Sequence, residues 1–193
     1  MSAHVPLLRR RKAGMTDYRA RRKAITSQRP LLVVRISNRS VSAQFVKPAV
    51  RGDLVLSSAH SRELASLGWH GSQKSTPACY LLGLLAGKKA IKAGLKEAIV
   101  YNGLVPFIRG SRISALVKGV TESGVAVPAG EDAFPDDERL TGRSIAGYAS
   151  KLAADDKAAY TRAFSGLIRA GFNPENYASE FEKAKSAITK GRK

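Results

Sequence analysis

Leu31 to Val46 reads LLVVRISNRSVSAQFV: two apolar runs set back to back around the polar tetrapeptide Ser37-Asn38-Arg39-Ser40. Both runs are rich in Val, Ile, Leu and Phe, the composition of paired strands. Asn38 tolerates the left-handed backbone of a two-residue hairpin turn, so a β-hairpin is expected here. Its charge sets it apart. Arg35, Arg39, Lys47 and Arg51 lie on the hairpin or just after it, and more Arg and Lys precede it. The expectation is a sheet with one basic end that grips a polyanion.

The charge balance of the whole chain points the same way. A net charge of +18 on 193 residues and a pI near 10.5 favour nucleic acid or an anionic membrane as partner. Residues 1 to 52 carry 13 Lys and Arg against one acid, Asp17. A membrane-surface arm needs a bulky apolar helical face, and the first 15 residues offer only Leu7 and Leu8. No apolar run approaches the roughly 20 residues of a membrane span, and no apolar run follows the basic residues 9 to 12 as in a signal peptide. The single cysteine, Cys79, excludes an intrachain disulfide and a cysteine-based zinc cluster. A cytoplasmic location is expected.

Upstream of the hairpin, residues 1 to 16 read as an extended arm carrying Arg9, Arg10, Arg11 and Lys12, ordering on phosphate. Thr16 is a fair N-cap for a short basic helix, DYRARRKAITS, which presents Arg19, Arg21, Arg22 and Lys23. Tyr18 stands open between two roles, stacking on an unpaired base or packing on the sheet.

Downstream, Asp53 to Ala59 reads as a third strand, completing an antiparallel meander. Ser61 caps a short helix that ends at Gly68, and Trp69 reads as a core plug more than a stacking platform. Thr76-Pro77 starts a helix that ends at Gly94. Its residues Ala78, Leu81, Leu82, Leu85 and Ile91 form an apolar face for the sheet. Gly83 and Gly87 allow a neighbouring backbone to come close. Glu97 to Tyr101 is a short strand parallel to an earlier one, Ser111 caps a helix that closes at Gly124, and Val125 to Pro128 reads as a last strand. The fold class is α/β: a mixed sheet with an antiparallel three-strand meander, packed by helices.

The segment AGEDAFPDDE, residues 129 to 138, holds five acids and reads as a surface linker. Helices follow at about 141 to 153 and 155 to 170, and Asn173-Pro174 starts a last one. The organisation is a basic N-terminal arm over 1 to 28, a core over 29 to 128, and an acidic linker with a helical C-terminal extension over 129 to 193.

Catalytic patterns are wanting. The stretch GLLAGKK at 83 to 89 lacks the spacing and hydroxyl residue of a phosphate loop. His4, His60 and His70 have no metal-pair spacing, and Asp53, Ser58 and His60, on one short strand, cannot form a relay. A ribonuclease-H-like enzyme needs several carboxylates at strand ends, and the predicted strands supply Asp53 and Glu97. No enzyme activity, cofactor or metal is expected. A general RNA chaperone or a non-ribosomal RNA-binding module is the other class with such a basic arm, and it would show little preference among RNAs.

Thr16-Asp17-Tyr18 with Arg21, LLVVRISNRSVSAQFV, GDLVLSSAHS at 52 to 61, ACYLLGLLAG at 78 to 87 and RGSRISALVKGVTESG at 109 to 124 together resemble the universal 5S-rRNA-binding family of the large ribosomal subunit. The resemblance runs from residue 9 to about 128. DERLTGRSIAGYA, Asp137 to Ala149, is similar to the archaeal and eukaryotic form, which the shorter bacterial form lacks. The resemblance implies a non-enzymatic protein that binds 5S rRNA, helps attach it to large-subunit rRNA and the central protuberance, and meets neighbouring proteins, including the other 5S-associated protein.

Carried onto this chain, the RNA face is Arg9, Arg10, Arg11 and Lys12, then Thr16, Tyr18, Arg21, Arg22 and Lys23, then Arg35, Ser37, Asn38, Arg39 and Ser40. Gln44, Lys47, Arg51, Ser58, His60, Arg109, Gly110 and Arg112 complete it. Met15 departs from the family, which usually has a basic residue there. Glu131 to Glu138 are expected to point away from RNA.

Overall fold

A computed structural model describes residues 6–49 and 52–190; Arg51 and His4 therefore lie outside the described residues. Four strands form one mixed sheet in the order β3-β2-β1-β4: β1 Leu31–Ile36, β2 Val41–Lys47, β3 Leu54–His60 and β4 Ile99–Tyr101. The hairpin pairs Leu31 with Val46 through to Ile36 with Val41. β3 pairs antiparallel to β2, with a bulge between Phe45 and Val46, and β4 runs parallel to β1.

The hairpin turn differs from the expected left-handed one. Gln28 is the non-glycine residue with positive φ among the described residues, so Asn38 has none. Ser37 takes over instead. Its N–H donates to the Ser40 carbonyl at 2.8 Å, while its hydroxyl accepts the Ser40 N–H at 3.0 Å. A side-chain oxygen thus stands in for a backbone acceptor and closes the turn without αL geometry.

Val125 to Pro128 does not form a strand. It contributes a single parallel bridge, Glu97 to Ala126, and Pro128 has no N–H with which to extend it. The arm also departs from extended structure. Arg9–Lys12 is one helical turn, α1, and Tyr18–Thr26 is α2. Asp17 caps α2, its carboxylate accepting from the N–H groups of Arg19 and Ala20; the Thr16 hydroxyl accepts from Arg10 Nε at 2.9 Å instead.

Glu63–Ser66 is α3, Thr76–Lys92 is α4 and Arg112–Glu122 is α5. Ser75, one residue before Thr76, is the α4 N-cap. This helix is buried on nearly all sides and not on one face: Ala78 through Leu84, Ala86, Gly87 and Ala90 are buried, while Ile91 is exposed. The sheet lies against one side and α5 crosses the other. Glycines permit the crossing. A Cβ on Gly83 would lie 2.1 Å from the Leu116 carbonyl oxygen, and one on Gly119 would lie 2.3 Å from that of Tyr80.

The C-terminal helices are α6 Asp137–Thr141, α7 Arg143–Asp155, α8 Lys157–Arg169 and α9 Tyr177–Lys190. Tyr177, Phe181, Ala184 and Ile188 recur at helical spacing along α9 and enter the same core cluster as Leu32, Phe45 and Leu81. Trp69 is buried as expected and packs against Phe172 and Tyr177. Lys88 of α4 donates to the Ile188 and Thr189 carbonyls at 2.7 and 2.6 Å, satisfying the end of α9. The acidic segment is less open than a linker: Ala133 is buried, and its carbonyl accepts the Gly110 N–H at 3.0 Å.

Candidate nucleic-acid interface

Strand alternation divides the sheet. Leu32, Val34, Val41, Ala43 and Phe45 belong to the core beneath the helices. Leu31, Val33 and Val46 form a second, small cluster on the opposite face, with Ala24 of α2 and with Ile99 and Tyr101 of β4 packed against it. Past that cluster the second face turns polar, in two cross-strand rows. Val33, Gln44 and Ser58 form one row, and Arg35, Ser42 and His60 the next. None of these five polar residues is buried, and the Ser37-to-Ser40 turn follows directly. Arg35, Gln44, Ser58 and His60 thus come together with the turn residues Ser37, Asn38, Arg39 and Ser40, although they lie on three strands.

Ser42 was missed, although two-residue alternation back from Gln44 finds it. Lys47 is placed elsewhere. It ends β2 opposite Leu54, about 20 Å along the strand from the turn. The basic residues of the hairpin therefore do not share one end.

Beside the sheet, α2 presents Arg19, Arg22 and Lys23 to solvent, lining a shallow groove with Thr26 and Ser27. Arg21 behaves differently. It forms a two-pronged ion pair with Asp53, Nη1 to Oδ2 at 2.9 Å and Nη2 to Oδ1, and its guanidinium lies 5.7 Å from the Tyr101 ring centroid. The Asp53 carboxylate raises the Arg21 pKa above its ordinary value, despite partial burial.

An open cleft of about 1390 Å³ lies between the arm, β1 and the loop leading to α5. Arg10, Arg22, Arg35 and Arg112 line it, as do Thr16 and Tyr18, and among the described residues Asp53 is the one acid in its lining. Tyr18 is half-buried there. Of the arm residues, Arg9, Arg11 and Lys12 are exposed on α1. Arg109 pairs with Asp132 at 2.7 Å, so part of its charge is answered by the acidic segment. Gly110 takes φ +63 just before the Ser111 cap of α5, a conformation that favours glycine. Asp137 likewise meets Lys118 at 3.0 Å. Among the described residues no cluster of His, Cys, Asp or Glu is arranged to hold a metal, and no helix is long and apolar enough to cross a membrane.

A family described as "Ribosomal large subunit proteins 60S L5, and 50S L18" matches residues 5–103. The chain belongs to this family. It is a family of structural ribosomal proteins, not of enzymes. A relative named "Large ribosomal subunit protein uL18" from Thermofilum pendens is 45% identical over 184 residues, covering 95% of this chain and 93% of its own. Another of that name, from Methanothermobacter thermautotrophicus, is 41% identical over 180 residues, covering 93% and 92%. Both are archaeal proteins, and with coverage this complete the likeness extends into the C-terminal helices. The chain is of the archaeal type, as the Asp137 to Ala149 segment implied.

Proposed function

We propose that this large-subunit protein binds 5S rRNA and helps attach it to the large-subunit rRNA at the central protuberance. The observation that carries the reading is the polar part of the second sheet face: Arg35, Ser42, Gln44, Ser58 and His60, none of them buried, lie side by side in two rows, flanked by the hairpin turn and by basic α2. Structured RNA is held mainly through phosphate and 2′-hydroxyl contacts. Arg35 and Arg39 supply charge, while Ser37, Asn38, Ser40, Ser42, Gln44 and Ser58 supply short donors and acceptors that let a ribose-phosphate backbone come close. Arg10, Arg22 and Arg112 extend the field into the cleft, where Tyr18 offers a ring to an unpaired base.

In this reading the arm over 1 to 28 and the core over 29 to 128 carry the RNA contacts. The region from 129 onward turns its acids, Glu131 to Glu138, away from RNA, and neighbouring large-subunit proteins, including the other 5S-associated protein, are further partners. Replacing Arg35 and Arg39 together by Ala tests the sheet face. Two lost phosphate contacts weaken 5S rRNA binding roughly ten- to hundred-fold at low salt with the circular dichroism spectrum unchanged. Undiminished affinity in a folded double variant would refute the assignment of this face.

A further inference from the structure

The first 60 residues hold two carboxylates, Asp17 and Asp53, and both act on α2. Asp17 caps its first turn. Asp53 holds its middle through the forked pair with Arg21.

That helix needs holding. At nine residues it is below the roughly 12 to 15 at which an isolated helix persists in water, and none of its residues is buried. Its apolar contact with the sheet comes from Ala24, half-buried against the small second-face cluster. Arg19, Arg22 and Lys23 repel one another at helical spacing. The Arg21 side chain, by contrast, is 19% exposed and its Asp53 partner 31%, with Tyr101 beneath the guanidinium. Planar two-point pairing fixes direction as well as distance.

We propose that Asp53 is a positioning residue for RNA binding: the Asp53–Arg21–Tyr101 clasp docks α2 on the sheet so that Arg19, Arg22 and Lys23 stand as a fixed cationic row beside the RNA-binding face. The inference rests on the RNA reading above and adds a role that simple electrostatics assigns with the opposite sign. A carboxylate next to a polyanion opposes binding by its charge, so its removal should tighten the complex. As a clasp, Asp53 strengthens binding, and its removal loosens the complex.

Equilibrium binding to 5S rRNA over a salt series decides between the signs. Asp53→Asn keeps the side-chain shape and removes the charge. It is expected to bind roughly five- to ten-fold more weakly at about 0.15 M salt, with a salt slope shallower by about one to two, because the α2 cations no longer meet phosphate together. Asp132→Asn, which removes a carboxylate paired with exposed Arg109, serves as the control and leaves affinity unchanged or raises it. The exchange Arg21→Asp with Asp53→Arg rebuilds the pair in reverse and returns affinity to within about three-fold of the native chain. Native-like or tighter binding by Asp53→Asn would overturn the proposal, as would weak binding that the exchange does not restore. A native chain that prefers 5S rRNA while Asp53→Asn binds undiminished strikes the clasp alone. A native chain without that preference strikes the RNA reading too.

Discussion

Tyr177 and Trp69 pack their rings in a T-shaped pair, with centroids 5.3 Å apart and planes at 80°. The pair ties the start of the last helix to the loop before α4. The Tyr177 hydroxyl donates to Ser75 Oγ at 2.8 Å, so the same side chain also meets the residue that caps α4. Phe172 completes the cluster at 5.3 Å from Tyr177. Tyr177→Ala is expected to cost about 3 to 5 kcal/mol in denaturant unfolding, the range for a buried aromatic, with Tyr177→Phe losing about 1 kcal/mol for the hydrogen bond. A loss below 1 kcal/mol for the alanine variant would show that α9 adds little to the core.

The crossing of α4 and α5 gives a contrast among glycines. Gly83→Ala forces a methyl group to 2.1 Å from a backbone carbonyl, which only separation of the helices relieves, and a loss of about 1 to 3 kcal/mol is expected. Gly147 and Gly166 lie within α7 and α8, with nothing within 4 Å of an added Cβ. Alanine at either one is expected to stabilise the chain by about 0.5 to 1 kcal/mol through helix propensity. Thermal melts should place Gly83→Ala below the native chain and Gly147→Ala and Gly166→Ala above it.

Cys79, in the first turn of α4, is buried, and burial pushes its thiol up to about 12. The folded state therefore holds this proton more tightly than the unfolded chain, whose thiol titrates near its ordinary value of 9.0. The contribution is intact below about pH 9 and is lost as pH rises toward 12. Tyr80 and Tyr177 are raised as well, chiefly by burial, so alkaline destabilisation is shared. At pH 8 a thiol reagent should modify Cys79 at the rate of unfolding, independent of reagent concentration at high excess. A rate approaching that of the unfolded chain would show a thiol accessible in the native fold.

Glu131, Asp132, Asp136, Asp137 and Glu138 are exposed, while Asp132 and Asp137 answer Arg109 and Lys118. Replacing Glu131, Asp136 and Glu138 by their amides should leave 5S rRNA affinity within about two-fold, since solvated acids distant from phosphate contribute little. A ten-fold gain would mean that the segment faces the RNA.

How far these features were legible depends on how local their causes are. The four strands that form, their order and the parallel β4 follow from apolar pattern and turn residues, whereas Val125 to Pro128 has the composition of a strand and makes a single bridge. The Gly83 and Gly87 spacing announced a close approach, though not that Gly119 would meet it. Cap positions slipped by one residue where neighbours compete: Thr16 and Asp17 are both able caps, and Thr16 is engaged by Arg10. The acidic segment reads as a linker from its charge, but Ala133 and Pro135 are buried between the acids. On the candidate interface, Gln44, Ser58 and His60 were expected one by one, and strand register explains their common face. The Arg21 to Asp53 pair had no local signal, because it forms across 32 positions of chain.

On the function proposed above, this surface recognises the shape of 5S rRNA and not its charge alone. That recognition is tested most directly by measuring the affinity of the full chain for 5S rRNA and for an unrelated structured RNA of similar length, each over a salt series. Six to ten phosphate contacts cost roughly 10³ to 10⁵ in affinity between about 50 and 200 mM salt with either RNA, by analogy with duplex DNA. 5S rRNA is expected to keep a large advantage at the high-salt end. Equal affinities there would mean that a net charge of +18 acts as a general polycation, and would contradict the proposed function.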